Sequence, residues 1–140
     1  MAPQTYNWTC SICAYTWVIQ STNTDPNLTR EEATNIIGYP ECVNEVYGLM
    51  SIDCLTRAFS VMGLKTSHAY LTFDQAYAIA RIHTGVINPI GMYHFMAIRG
   101  VQGSDIWIAN SAEGYCGVYD TLNRSQYNNF GPVQLLWLVP

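Results

Sequence analysis

Apolar positions recur at helical spacing through the first part of the chain and at strand spacing through the last. Cys10 to Ser21 sets Ile12, Cys13, Trp17 and Val18 among small residues, which predicts a helix with one buried face and Thr9 as its N-cap. Asp25-Pro-Asn-Leu predicts a turn. Thr29-Arg-Glu-Glu reads as a capping box, Thr29 at the N-cap and Glu32 three residues on, opening a short helix that Gly38-Tyr-Pro ends. Ser51 to Met62 carries Leu55, Phe59 and Met62 on one stripe and stops at Gly63; Phe73 to His83 repeats the pattern through Ala76, Tyr77 and Ala80 and stops at Gly85. Beyond Gly85 the period changes. Val86 to Ile90 predicts a short strand, His94 to Arg99 a second, Gly100 to Ser104 a hairpin loop and Asp105 to Asn110 the returning strand. Tyr115 to Tyr119 is a weaker strand, Thr121 to Asn128 a small helix, and Val133 to Val139 a final strand. Helices first and an antiparallel sheet afterwards is the α+β order, with the N-terminal helices packed on a C-terminal sheet. No repeat, low-complexity tract or linker interrupts it, so residues 1–140 read as one domain, either whole or a piece of a longer chain.

Composition narrows the partners. Charged residues make up 11% of the chain against a hydrophobic share of 49%. That leaves a surface of Tyr, Asn, Thr and Ser, suited to weakly charged polymers such as peptides and glycans. Six Lys and Arg, a net charge of −4 and no basic run exclude a phosphate-binding patch, so no nucleic acid is expected. The longest apolar stretches, such as Val133 to Pro140, fall well short of the ~20 residues of a spanning helix. The opening MAPQTYNWTC has neither a positive nor an apolar signal region, so synthesis in a cytoplasm without a signal peptide is expected. No cofactor is implied.

Five cysteines, at 10, 13, 42, 54 and 116, are an odd number for a disulfide framework. The simplest expectation is a reduced chain with one functional thiol and several buried apolar ones; a Cys42–Cys54 bridge is also compatible with the sequence.

A nucleophilic cysteine must ionise near neutral pH, and Cys10 lies at a predicted helix start, where free N–H groups and the helix dipole favour negative charge. A histidine alongside would take the proton, and a third polar group would orient that histidine. His94 opens a predicted strand, and a hairpin centred on Gln102 sets Asn110 beside it across the ladder. His68, in a predicted loop, and His83, on the polar side of its helix, read as surface residues. Cys13, on the inner side of the same helix, reads as packing and is the alternative nucleophile. Cys10-Ser-Ile-Cys13 lacks the second Cys/His pair of a zinc site. As a redox Cys-x-x-Cys it is stronger, although nine residues leave little room for the strands such folds place ahead of the motif. Trp8, two residues before Cys10, is a candidate cleft residue; Trp17, Trp107 and Trp137 read as core.

A Gln six residues before a Cys that opens a long helix, followed by a distant His–strand–hairpin–Asn, resembles the papain-like cysteine peptidases. The compact form, with His94 to Gly100 ending in Arg-Gly, is similar to the bacteriocin-processing, double-glycine branch. Asn110-Ser-Ala-Glu-Gly-Tyr resembles that branch's Asp/Asn-Pro-x-x-Gly turn, with Ser111 in place of Pro and Asn in place of the more usual Asp. Trp8-Thr-Cys-Ser-Ile-Cys-Ala also resembles the N-terminal peptidase domains of mycobacteriophage endolysins. The likeness covers nearly the whole chain. It implies a Cys10–His94–Asn110 endopeptidase in which Gln4 and the Cys10 backbone N–H donate to the oxyanion. The endolysin likeness further implies action at the bacterial cell wall on peptidoglycan peptides. It also implies that a wall-binding part belongs to a longer chain.

Overall fold

A computed structural model of the chain describes residues 7–92, 94–112 and 115–140. A single 3-10 turn, Asn7–Thr9, leads into α1 (Cys10–Ser21), followed by α2 (Arg30–Ile37), a two-stranded hairpin β1 (Val43–Asn44) and β2 (Gly48–Leu49), and α3 (Ile52–Val61). Then come β3 (Lys65–Tyr70), α4 (Phe73–Ala80), β4 (Gly85–Pro89), β5 (Met96–Gln102), β6 (Asp105–Ala112), β7 (Tyr115–Leu122), α5 (Arg124–Asn129) and β8 (Val133–Val139). The large sheet has the order β3-β8-β4-β5-β6-β7, every neighbouring pair antiparallel. The α+β architecture, with N-terminal helices on a C-terminal antiparallel sheet, is therefore as the pattern predicts.

Period-two alternation divides the sheet's side chains between two cores. Val86, Ala97, Ala109 and Leu136 face α1, α2 and α3. Their neighbours Ile87, Met96, Ile98, Ile108 and Leu135 face Phe73, Ala76 and Ala80 of α4 and Tyr127 of α5. The last strand, Val-Gln-Leu-Leu-Trp-Leu-Val, lies inside the sheet between β3 and β4, which explains its near-continuous apolar run. Three helices start on capping boxes: Thr29/Glu32, Thr72/Gln75 and Asn123/Gln126.

Several expectations are corrected. α1 is buried nearly all round rather than on one face, because α2 and α3 cover the side turned away from the sheet. Two of its buried polar groups are bonded inside the core, Thr16 Oγ1 to the Ile12 carbonyl (2.7 Å) and Tyr15 Oη to the Ala58 carbonyl (2.7 Å), while Ser11 Oγ is buried without a hydrogen-bond partner among the described residues. Thr9 holds the N-cap position, but its side chain makes no capping bond. His68 lies in strand β3, exposed at the sheet's edge, and not in a loop; α4 ends at Ala80, so His83 lies beyond it. Thr121 and Leu122 belong to β7, and α5 begins at Arg124 with Asn123 as its cap. The chain is not reduced. Cys42 and Cys54 are joined across a Cα separation of 5.8 Å, and Cys13 is also disulfide-bonded.

Gly85 opens β4 instead of stopping a helix, and the close approach of β4 to β8 explains the residue. A Cβ there would lie 2.6 Å from Trp137 Cα and closer still to the Leu136 carbonyl oxygen. Neither backbone atom can move without opening the centre of the sheet. Gly85→Ala is therefore expected to destabilise the protein by ~2–3 kcal/mol, read from the urea-unfolding midpoint. An unchanged midpoint would show that the two strands lie further apart.

Candidate active site

The site forms where α1 begins, against the end of the sheet at which β5 starts and β6 finishes. At the start of α1 the Ser11 N–H acts on the Cys10 sulfur, as does the Cys10 N–H itself. The Phe95 backbone N–H is the third donor to the same sulfur. Phe95 adjoins His94, so the chain brings a helix-opening thiol to the residue next to the imidazole.

His94 Nε2 lies 2.6 Å from Asn110 Oδ1. The Ser111 backbone N–H donates to the same oxygen at 2.8 Å. A backbone N–H needs an acceptor, which identifies that amide atom as the oxygen and requires a hydrogen on Nε2 to donate to it. In the neutral ring that arrangement leaves the lone pair on Nδ1. Both side chains are half-buried, which limits competition from water.

The contact arises differently from the expected register. His94 does not open the strand, which starts at Met96, and the turn is the two residues Gly103-Ser104 rather than a loop centred on Gln102. Gln102 pairs with Asp105; a bulge between Ile98 and Gly100 then shifts the ladder so that Ala97 pairs with Ala109. One further step would set Met96, not His94, opposite Asn110. His94 lies two residues before Met96, outside β5, and its ring reaches Asn110 across that offset.

The electrostatics of Cys10 are mixed. Burial pushes its thiol above the ordinary value, and the N–H groups of Phe95, Ser11 and Cys10 pull the other way without cancelling the rise. Cys10 is 3% exposed and forms part of the floor of a cleft of about 860 Å³. Trp8 lines the same cleft, together with Asn88, Ile90, Phe95 and Gln134 from the sheet end and a continuous stretch from Glu45 to Ile52 opposite. That second wall went unread in the sequence, where residues 39–50 carry no helical or strand period. Among the described cysteines, Cys10 is the one outside a disulfide. Cys13 is bonded elsewhere, which removes it as an alternative nucleophile and excludes a Cys10–Cys13 redox pair in this state. Gln4 lies outside the described residues.

No protein-family model matches the sequence, and no curated protein matches it. Among solved structures, the crystal structure of a double glycine motif protease from an AMS/PCAT transporter, in complex with the leader peptide, superposes with a TM-score of 0.68. The match covers 94% of this chain and 84% of that one at 13% identity. The chain thus has the fold of a papain-like peptidase domain. No helix among the described residues is long and apolar enough to cross a membrane.

The thiol's position gives a pH test. Alkylation requires thiolate, and burial favours the protonated form, so without a neighbouring imidazolium the reaction should rise only above the pH range of an ordinary cysteine. His94→Ala is expected to show that alkaline profile with iodoacetamide. The parent protein should label at least ~10-fold faster near pH 6.5, the equivalent of one pKa unit. Superimposable profiles would mean that His94 does not act on Cys10.

Proposed function

We propose that the protein is a cysteine endopeptidase that hydrolyses peptide bonds in bacterial cell-wall peptidoglycan, as the cutting unit of a phage endolysin. The observation that carries the peptidase reading is the His94 Nε2–Asn110 Oδ1 bond, next in the chain to Phe95, whose backbone acts on the helix-opening sulfur, on a fold similar to that of a double-glycine protease. The wall-peptide substrate is supported by the likeness of Trp8 to Ala14 to endolysin peptidase domains and by a charge-poor chain suited to neutral polymers. On this reading the protein is made in the host cytoplasm and acts at the cell wall.

The chemistry follows from the atoms in place. His94 Nδ1 takes the proton of Cys10 Sγ as the sulfur attacks the substrate carbonyl carbon, and the imidazolium is steadied by Asn110 Oδ1 through Nε2–H. The carbonyl electrons move to oxygen, where the N–H donors at the start of α1 are the available stabilisers, with Gln4 as a second donor. Collapse breaks the C–N bond, Nδ1–H protonates the departing amine, and a thioester remains on Cys10. Water attacks it by the same route in reverse, giving the acid and the free thiol.

One observation favours a second reading, a peptide-binding module that does not cut: the thiol is buried and shifted toward its neutral form. Mass spectrometry of fragments released from purified peptidoglycan separates the two. Hydrolysis is expected to release peptides carrying new amino and carboxyl ends, with Cys10→Ala and His94→Ala losing on the order of 10⁴-fold or more in rate at unchanged melting temperature. Asn110→Ala, which removes one hydrogen bond to a charged ring, should lose about 10–100-fold. Full release by Cys10→Ala would overturn the assignment.

A further inference from the structure

The cleft wall opposite the sheet is a closed loop. Every cleft-lining residue from Glu45 to Ile52 lies between the two cysteines of the Cys42–Cys54 disulfide. Inside that loop the turn of the β1–β2 hairpin is fixed by Asn44, whose Oδ1 accepts from the Val46 N–H (3.0 Å) and the Tyr47 N–H (2.9 Å) while its Nδ2 donates to the Pro40 carbonyl. The Met50 N–H returns to the Cys42 carbonyl at 2.8 Å. The wall is thus held in shape by bonds of its own.

What it presents is unusual for a surface. Val46 is 78% exposed, Tyr47 71% and Met50 48%, three large apolar side chains on one rim of the cleft. They contribute nothing to either core, and a cluster of this kind marks a binding surface. Glu45 stands beside them as the one charged side chain among the described residues lining the cleft. The Tyr39 hydroxyl donates to its carboxylate, which holds the group below the usual carboxylate range, and Tyr39 in turn packs on Trp8 with ring centroids 6.1 Å apart. A carboxylate accepts several hydrogen bonds, so Tyr39 leaves most of its capacity open.

Apolar surface ending in a fixed carboxylate complements a long aliphatic side chain ending in an ammonium. We propose that the Cys42–Cys54 loop is the substrate-selecting wall, on which Val46, Tyr47 and Met50 take the methylene chain of a lysine-like diamino acid and Glu45 takes its free amino group. The proposal rests on the peptidase reading for its substrate class, since peptides of bacterial walls carry such diamino acids. It adds which residue is recognised and by what. A substrate with an acidic side chain at that place meets like charge and is turned away.

The test is peptide binding to the Cys10→Ala protein, measured by calorimetry on short wall-type peptides that differ at one position: lysine, norleucine or glutamate. Lysine is expected to bind best and glutamate worst. Glu45→Gln should weaken the lysine peptide about 3–5-fold and leave norleucine unchanged, as for an exposed ion pair, and added salt should have the same effect. Val46→Ser with Tyr47→Ser, both on the surface, should weaken lysine and norleucine alike by about 10-fold. Equal binding of the three peptides, no binding at all, or a ranking that Glu45→Gln leaves intact would overturn the proposal. Incubating the same peptides with the parent protein tests the peptidase reading separately. The ranking without cleavage removes the enzyme and keeps the wall, and cleavage without the ranking removes the wall alone.

Discussion

The site depends on a single amide oxygen. Asn110 Oδ1 accepts from the Ser111 backbone N–H and from His94 Nε2, and the first bond prevents the amide from rotating away from the second. An imidazole bonded to an oxygen anchored by backbone has one tautomer and one orientation, and everything proposed for Nδ1 follows from that. The strand geometry behind it is irregular on both sides. A bulge between Ile98 and Gly100 shifts β5 against β6, and a second falls between Asn110 and Ser111 where β6 meets β7. Arg99, the residue left over at the first bulge, has its guanidinium 3.4 Å from the centroids of both the Trp107 and the Tyr119 rings. Stacking of that kind gives the bulge a fixed place.

Helix α1 supplies the other half, and its burial works in two directions. A helix enclosed by the sheet on one side and by α2 and α3 on the other delivers its first residue to a fixed point. The same enclosure raises the cost of a charged sulfur, and burial indeed pushes Cys10 up. The N–H groups of Cys10, Ser11 and Phe95 offset part of that cost. In the proposed mechanism the remainder falls to the imidazole of His94.

Much of the fold was legible because local chemistry and tertiary structure agree. The Thr29 capping box, the turn at Asp25, and strand β8 from Val133 to Val139 lie where the pattern sets them. The pairing of His94 with Asn110 was legible from the hairpin between them, though by a register that the bulge changes. Other features carried no local signal. Lys-Thr-Ser-His-Ala-Tyr forms β3 at the sheet's edge, where exposure removes the apolar alternation by which a strand is recognised. The β1–β2 hairpin has two residues per strand and owes its shape to Asn44 and the disulfide rather than to periodicity. Five cysteines suggested a reduced chain because an odd number hides any pairing; the Cys42–Cys54 bridge, which the sequence left open, forms where α3 is set against the loop before β1. Gly85 read as a helix stop because close approach to Leu136 and Trp137 is a property of the sheet and not of its neighbours in sequence.

The claim on which the rest turns is the protonation of one ring nitrogen. Long-range ¹H–¹⁵N correlation spectra of the imidazole of His94, recorded at a pH where the ring is neutral, distinguish the two tautomers directly. The hydrogen at Nε2 and a bare Nδ1 are expected in the parent protein, with a mixture of tautomers in Asn110→Ala. A hydrogen on Nδ1 in the parent protein would contradict the account, because that nitrogen would then have no lone pair to take a proton.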